Sequence, residues 1–578
     1  MKKHIFAGAG AIGGLLSIHL LLGGTVETGR QFIFLPVLML AWAVGHVFWT
    51  REDHRLQALF GMLGALFVAS CVLNMRLEAM DWTGWDGLAL CTAAGVCFGP
   101  CVGEGFIRLF HWLEGLRTLV KLNSRKSFWL VFIVLLLCWL PVLLAFFPGI
   151  DGYDIDGQAG QIYSGQYNTH HPLLHTLFLQ LFMELGKWLL DDYSIGYGFY
   201  TITQYVLLAA SMAYAMSWLS RIHCARLLWI GTLVFFALSP QHMIMASTGT
   251  KDVLFSAVMM LLTVELIRFV TEPGRERTVK AWMVCVMLTA AACMLRNNTA
   301  YGLLLMIPLC IILWRKQLGM RVMAVLLAGL IVGMTGAAGL KSVTGAKDGS
   351  IREMLCVPCQ QLARVHALYG LDHPVGYEVR EVLPFADDYT PERADAVKRQ
   401  ARVDTPDRLW RFIKLWVREA FHYPIEYIDA FLLNSKAYWA VDDVSFATTY
   451  DAPPDVKRGC MILWHNPATK LEMQDLWPEV KQICERLFAQ NGYQRFPVLW
   501  TLIHPAFYTW LLCFVLIAAA YRKNKAALLA AGVLASYLLT LLLGPCALIR
   551  YSYYLMLALP VLVGWLFIPA TAKEEEHD

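Results

Sequence analysis

The sequence predicts an all-α polytopic membrane protein, with about 14 helices crossing a bilayer and one mostly helical domain outside it. Two observations predict this. Of the 578 residues, 57% are hydrophobic and only 16% are charged, against roughly 25% charged in an ordinary soluble protein. The apolar residues also come in long blocks: Leu130 to Phe147, Val253 to Leu262 and Ala526 to Leu543 are almost free of charge. A span needs about 20 mostly apolar residues. Backbone inside lipid must satisfy its own hydrogen bonds, so these blocks are read as helices.

Taken in order, the expected spans are 5–25, 31–49, 57–74, 87–108, 128–147, 195–218, 227–241, 253–270, 280–295, 299–314, 321–340, 499–520, 526–544 and 551–569. The start, Met1-Lys2-Lys3 before an apolar stretch, has the look of a signal peptide. More spans follow without a small-residue cleavage site, so it is read as a retained first span. The spans divide the chain into an N-terminal four-helix membrane extension (1–127), a transmembrane module with a long outer loop at 148–194 (128–340), an outer domain (341–498) with helices expected near 351–369, 391–402, 407–421, 425–433 and 476–490, and C-terminal spans with a short tail (499–578).

Orientation follows from the basic residues. Lys2 and Lys3, Arg51 and Arg55, Arg117 to Lys126, Arg221 and Arg226, Arg275 to Lys280, Arg315 to Arg321, and Arg522 to Lys525 all fall in one alternate set of short loops. The positive-inside rule makes that set cytoplasmic, with both termini inside. The net charge of +4 gives no case for nucleic acid. Of fifteen cysteines, most lie within spans, where a thiol behaves as a small apolar group. Cys356 and Cys359 have the spacing of a redox or metal half-site but lack a second pair. Cys460 and Cys484 are candidates for a disulfide on an oxidising face.

Chemistry-bearing residues gather on the outer side. The loop at 148–194 holds Asp151, Asp154 and Asp156 among glycines that let the chain turn tightly. Such carboxylates serve as a general base toward a hydroxyl, as oxygen ligands for a divalent metal, or as a solvated acidic turn. His171 and His175 are four apart and share a face on a helix. That spacing suits a metal pair, but the Glu of a hydrolytic zinc helix is missing, and substrate hydrogen bonding or a helix-start role is preferred. The stretch Pro172 to Leu190 reads as an amphipathic helix at the interface. Lys251-Asp252, Arg296-Asn297 and Arg550-Tyr551 stand at outer borders of spans. Charges there are costly and usually face a protein cavity. Arginine grips phosphate through its planar fork, whereas a lone arginine more often snorkels to the headgroups. Two arginines and a lysine beside an acidic loop favour one shared site. Glu104, inside the fourth span near its cytoplasmic end, is read as snorkelled or paired. Trp410, Trp416, Tyr438 and Trp439 in the outer domain suit sugar stacking or, more often, core packing.

At these residues the chain resembles the GT-C superfamily of membrane glycosyltransferases, and most closely an uncharacterised bacterial branch of it. The resemblance is carried by Pro148-Gly149 with Tyr153-Asp154, His171-Pro172-Leu173-Leu174-His175-Thr176, Lys251-Asp252-Val253-Leu254-Phe255-Ser256, Arg296-Asn297-Asn298, Gln360 to Arg364, Asn434 to Trp439, and Arg550-Tyr551. It covers roughly 130 to 570 and leaves the first four spans unexplained. The resemblance implies a GT-C-like transmembrane fold in a bacterial cytoplasmic membrane. It implies transfer of a sugar from a polyprenyl-phosphate donor to a glycan or other cell-envelope acceptor, with inversion. It makes Asp154 the base by position, with Asp252 assisting and Arg296 and Arg550 on the lipid phosphate; Asp151 and Asp156 remain rival carboxylates. Asp151, Asp156, His171, His175, Lys251, Asn297 and Tyr551 are then expected to bind substrate. A divalent metal such as Mg or Mn is compatible but not required. The alternatives are a transporter or flippase of lipid-linked glycans, a glycan polymerase or ligase, and a non-catalytic protein that binds envelope glycans.

Overall fold

Apolar stretches in lipid leave the backbone no partner but itself, and helices make up most of the described structure. The computed structural model describes residues 2–21, 31–80, 83–313, 317–371, 373–443, 469–489 and 492–569. Among these residues the only β pairing is isolated bridges. Among the described residues, eight helices are long and apolar enough to cross a membrane, or ten if each of two bent pairs is one span. Four further apolar helices, Lys3–Ile18, Val37–Thr50, Val279–Leu295 and Lys525–Leu541, are shorter. The protein is therefore a multi-span membrane protein with a large helical region outside the spans. The expected count of about 14 took in these shorter helices and Asn298–Leu313. It left out Leu173–Leu190, which by length and composition is able to cross.

The bent pairs have a local cause. Arg226–Leu238 meets Pro240–Ala246 at 54°, and Pro497–Ile503 meets Pro505–Tyr521 at 71°. In each, a proline opens the second piece, where it removes a backbone donor and clashes with a continuing turn.

Two helices form the centre. In Lys251–Thr271 and in Ile549–Leu566, 72% of the apolar window is buried, against 33% in Ser124–Ala145. The central pair packs together, while peripheral helices turn Ile133, Leu137 and Met287 outward, as lipid-facing side chains do. The first four helices, Lys2–Leu21, Gln31–Thr50, His54–Met80 and Gly84–Glu114, pack on one another. They meet the rest through Phe60 against Phe514 (5.9 Å) and Phe67 against Trp510 (5.1 Å). Asn74 Nδ2 also donates to Asp442 at 2.8 Å. Glu104 is paired, as expected: it accepts two hydrogen bonds of 2.7 Å from Arg51 and one of 3.0 Å from Arg108.

The region outside the spans is built on Cys356–Tyr369, whose Leu362 and Val365 pack with Val379 of Pro374–Val382 and Phe412 of Pro406–His422. Pro424–Ser435 closes the group. Pro374, Pro406 and Pro424 sit in first turns, where the missing N–H costs nothing. The helix expected over 391–402 shrinks to Asp395–Lys398, and Pro374–Val382 was not anticipated. The helix expected over 476–490 forms as Pro478–Cys484 followed by a π turn, Glu485–Ala489. Cys356 and Cys359 are buried free thiols, with no metal group around them among the described residues. Cys484 is also a buried free thiol, and Cys460, its proposed disulfide partner, lies outside the described residues. Tyr438 is buried in the core, Trp416 donates to Gln361 at 2.7 Å, and Trp410 is exposed.

One helix contact positions the loop bearing the aspartates. Leu173–Leu190 and Tyr193–Arg221 approach so closely at Gly186 and Gly196 that a Cβ on either would run into the other's backbone. Small residues permit such contact inside membranes. Gly186→Ala is expected to destabilise by about 1–3 kcal/mol, the usual cost of overpacking. A lower melting temperature in detergent checks this.

Candidate functional site

A backbone tie brings distant segments together. The Ile150 N–H donates to the Ser247 carbonyl at 2.8 Å, and the Gly249 N–H returns to the Ile150 carbonyl at 2.8 Å. Tyr197 clamps both strands of the tie: its hydroxyl donates to the Ile150 carbonyl at 2.7 Å and accepts from the Gly249 N–H at 3.1 Å. Gly249 is required here, because a Cβ would strike the Tyr197 hydroxyl and Ile155. Gly152, at φ +51°, lets the chain turn from this tie into the helix Gly152–Ser164. Asp154 lies in the first turn of that helix. Lys251 and Asp252 open the helix Lys251–Thr271, capped by Thr250. Side chains nearly a hundred positions apart are therefore set face to face.

Around this tie the charges interlock. Lys251 Nζ donates to Asp154 Oδ2 at 2.5 Å, and Arg550 Nη1 donates to Asp154 Oδ1 at 2.9 Å. Thr250 Oγ1 lies 3.2 Å from Asp154 Oδ2 and 3.3 Å from Asp252 Oδ2. Asp252 is paired with Arg296, and Arg550 Nε lies 3.8 Å from Asp252 Oδ2. The Tyr551 ring is covered by both guanidinium groups, Arg296 at 4.8 Å and Arg550 at 5.0 Å. Both carboxylates are buried, at 4% exposed for Asp154 and 1% for Asp252. Three cations, Lys251, Arg296 and Arg550, thus face two carboxylates, Asp154 and Asp252. The buried Arg296 Nε has no hydrogen-bond partner among the described residues.

The electrostatics follow from this crowding. Burial alone would raise the Asp154 pKa, but Arg550 and Lys251 outweigh it and hold the carboxyl well below the ordinary range. His171 stands beside them, its Nδ1 3.4 Å from Lys251 Nζ. An ammonium only donates, so Nδ1 accepts and the ring is neutral. Burial, with the Lys251 charge, pushes the His171 pKa from 6.5 down to about 3. The unfolded chain takes up this proton near pH 6.5 and the folded chain only near 3. The stabilisation from neutral His171 is therefore complete above pH 6.5 and is lost as pH falls toward 3. Melting temperatures measured across that window are expected to fall with acidification, and to fall less steeply in His171→Asn.

The other expected residues are placed differently. His175 is fully buried, but its Nδ1 meets Gln158 at 2.9 Å and its Nε2 meets the Tyr200 hydroxyl at 2.7 Å. With both nitrogens engaged, it braces the loop and does not pair with His171 around a metal. Asp151 is buried and accepts from Thr469 Oγ1 at 3.2 Å. Asp156 is half-buried and joins none of these contacts. Asn297 is exposed and its carbonyl serves the turn into the next helix, so it is not brought to the cluster. Among the described residues no three His, Cys, Asp or Glu side chains converge as a metal group. Sequence reasoning passed over Thr250, which touches both carboxylates; its place just before an apolar helix was the available signal. Tyr197 carried no such signal.

Comparison with known proteins adds the family. No curated protein and no solved structure matches the chain. A match over residues 164–578 takes in His171, Lys251, Asp252, Arg296 and Arg550, and leaves out the first four helices and the three aspartates of the loop. Over that length, the chain belongs to the family of unknown function DUF6020.

Proposed function

We propose that the protein is a GT-C-type glycosyltransferase that moves a sugar from a polyprenyl-phosphate donor to an acceptor hydroxyl at the outer face of a bacterial cytoplasmic membrane. One observation carries this reading: a buried aspartate and a second buried carboxylate meet three cations drawn from distant parts of the chain in one cluster. A lipid phosphate is an anion that such a cluster of cations attracts, and Arg296 and Arg550 suit it through their forked donors.

The ion pairs suggest how the reaction starts. Held by Lys251 and Arg550, Asp154 is a weak base. A bound phosphate competes for both cations and loosens their hold. The Asp154 pKa then rises toward its ordinary value, and the carboxylate becomes free to accept a proton. The acceptor oxygen attacks the anomeric carbon as its proton passes to Asp154. The bond from that carbon to the phosphate oxygen breaks, and the electron pair leaves with the phosphate. Lys251, Arg296 and Arg550 stabilise the charge developing there. A single displacement inverts the anomeric centre. Asp252 holds Arg296 in place and acts as a positioning residue.

The test is transfer of labelled sugar from a polyprenyl-phosphate sugar in membranes containing the protein. Transfer supports the reading; its absence with donor bound and acceptor extracts supplied counts against it. The alternative of a transporter or flippase draws on the two bent helix pairs, since interrupted spans mark many transporter sites. Movement of labelled lipid across vesicles without sugar transfer would favour it.

A further inference from the structure

The helix that carries Lys251 and Asp252 at one end carries a second charged cluster at the other. Lys251–Thr271 has 21 residues, about 30 Å at 1.5 Å per residue, so its far end lies roughly a bilayer's hydrocarbon thickness from the first site. There Glu265 accepts from Tyr214, from Arg275 and, at 2.6 Å, from Arg268. Glu272 takes Arg221, Arg268 at 2.9 Å and Arg275 at 3.1 Å. Tyr214, Arg221, Glu265, Arg268, Arg275 and Lys280 border a cavity of about 440 Å³, with Glu272 behind the arginines. Four cations stand against two carboxylates. Lys280 is exposed and makes no ion pair among the described residues. Arg275 Nε is buried without a hydrogen-bond partner there.

We propose that this cavity is a second anion site, which takes a phosphate monoester or diester, with an anionic phospholipid headgroup as the form the membrane offers. Three arguments support it. The residual charge is positive, by two units among the six ionic groups. Its volume falls within the range of small-ligand sites, about 300–1,000 Å³. The cluster also lies at the ends of spans, at the depth where headgroups meet protein, and basic pockets between spans on that side suit anionic headgroups. The carboxylates hold the arginines in one arrangement, and Lys280, exposed and outside these ion pairs, remains to meet the ligand. Nothing in the sugar-transfer reading is needed for this site.

The experiment uses the full chain in phosphatidylcholine nanodiscs. Binding of fluorescent phosphatidylglycerol is measured against fluorescent phosphatidylcholine, with inorganic phosphate and glycerol phosphate as soluble competitors. Lys280→Glu and Arg221→Gln are compared with wild type, and size-exclusion profiles report folding. Lys280→Glu touches no observed ion pair and serves as the variant least disturbing to the fold. The expected result is selective binding of phosphatidylglycerol, weakened about fivefold or more in Lys280→Glu. Strong displacement by inorganic phosphate would assign the same site to a soluble phosphate. Equal binding of both lipids with no effect of phosphate, or selectivity unchanged in both variants, would overturn the proposal.

Discussion

Asp154→Asn is expected to reduce sugar transfer by roughly 10²–10⁴-fold, the range that a positioned acid or base contributes, while the protein keeps or strengthens its hold on polyprenyl phosphate. The two halves of this result come from one piece of geometry. In the resting site Asp154 occupies Lys251 and Arg550 at 2.5 and 2.9 Å, so it competes with an incoming phosphate for the same cations. Asparagine fills the same volume without the charge. It leaves the cations free for the ligand, but it cannot take the acceptor's proton. Loss of a buried pair also costs stability, and bound phosphate is expected to restore it in the variant more than in wild type. Transfer assays with labelled donor and melting curves with and without polyprenyl phosphate check both halves. Loss of transfer together with loss of phosphate binding would instead mark Asp154 as structural support.

The second large effect concerns the pair of Arg296 and Asp252. Arg296→Gln is expected to destabilise by about 3–5 kcal/mol, because it leaves a buried carboxylate with the Thr250 hydroxyl at 3.3 Å and, as its cation, the more distant Arg550 Nε at 3.8 Å. Asp252→Asn in the same chain removes that stranded charge and is expected to return most of the stability. Donor binding and transfer are expected to stay low in the double variant, because the guanidinium that meets the phosphate is gone. A double-mutant cycle by thermal unfolding separates the two contributions. Recovery of transfer along with stability would show that Arg296 serves only to neutralise Asp252.

These effects were legible in the sequence to different depths. Multi-span helical character was plain from the charge-poor blocks, because lipid imposes one rule on every span. Span number was less plain: Val279–Leu295 and Lys525–Leu541 are apolar but short, and Leu173–Leu190 hides a length able to cross behind the polar residues before it. Within the site, residue type and position at span ends pointed to Asp154, Lys251, Asp252, Arg296 and Arg550, because charge at such places is costly unless it is used. The same logic misplaced Asn297, a polar neighbour in a tight turn whose side chain faces outward. It also joined Asp151 to Asp154, although three positions and a helix start turn Asp151 toward Thr469. His171 and His175 looked equivalent by spacing. Only packing separates them, with one beside Lys251 and the other locked between Gln158 and Tyr200. The tie from Ile150 to Ser247 and Gly249 is made by backbone groups, which every residue possesses, so no residue pattern announces it.

Whether the interlocked charges around Asp154 form a seat for a lipid phosphate is decided by a binding comparison. Affinities of polyprenyl phosphate and of the matching polyprenol, which differ only in the phosphate, are measured for the wild-type chain and for Arg550→Gln in nanodiscs. Wild type is expected to bind the phosphate far more tightly than the alcohol, and Arg550→Gln to lose most of that difference. Equal affinity for the two lipids, or a preference for phosphate that survives loss of Arg550 undiminished, would contradict it.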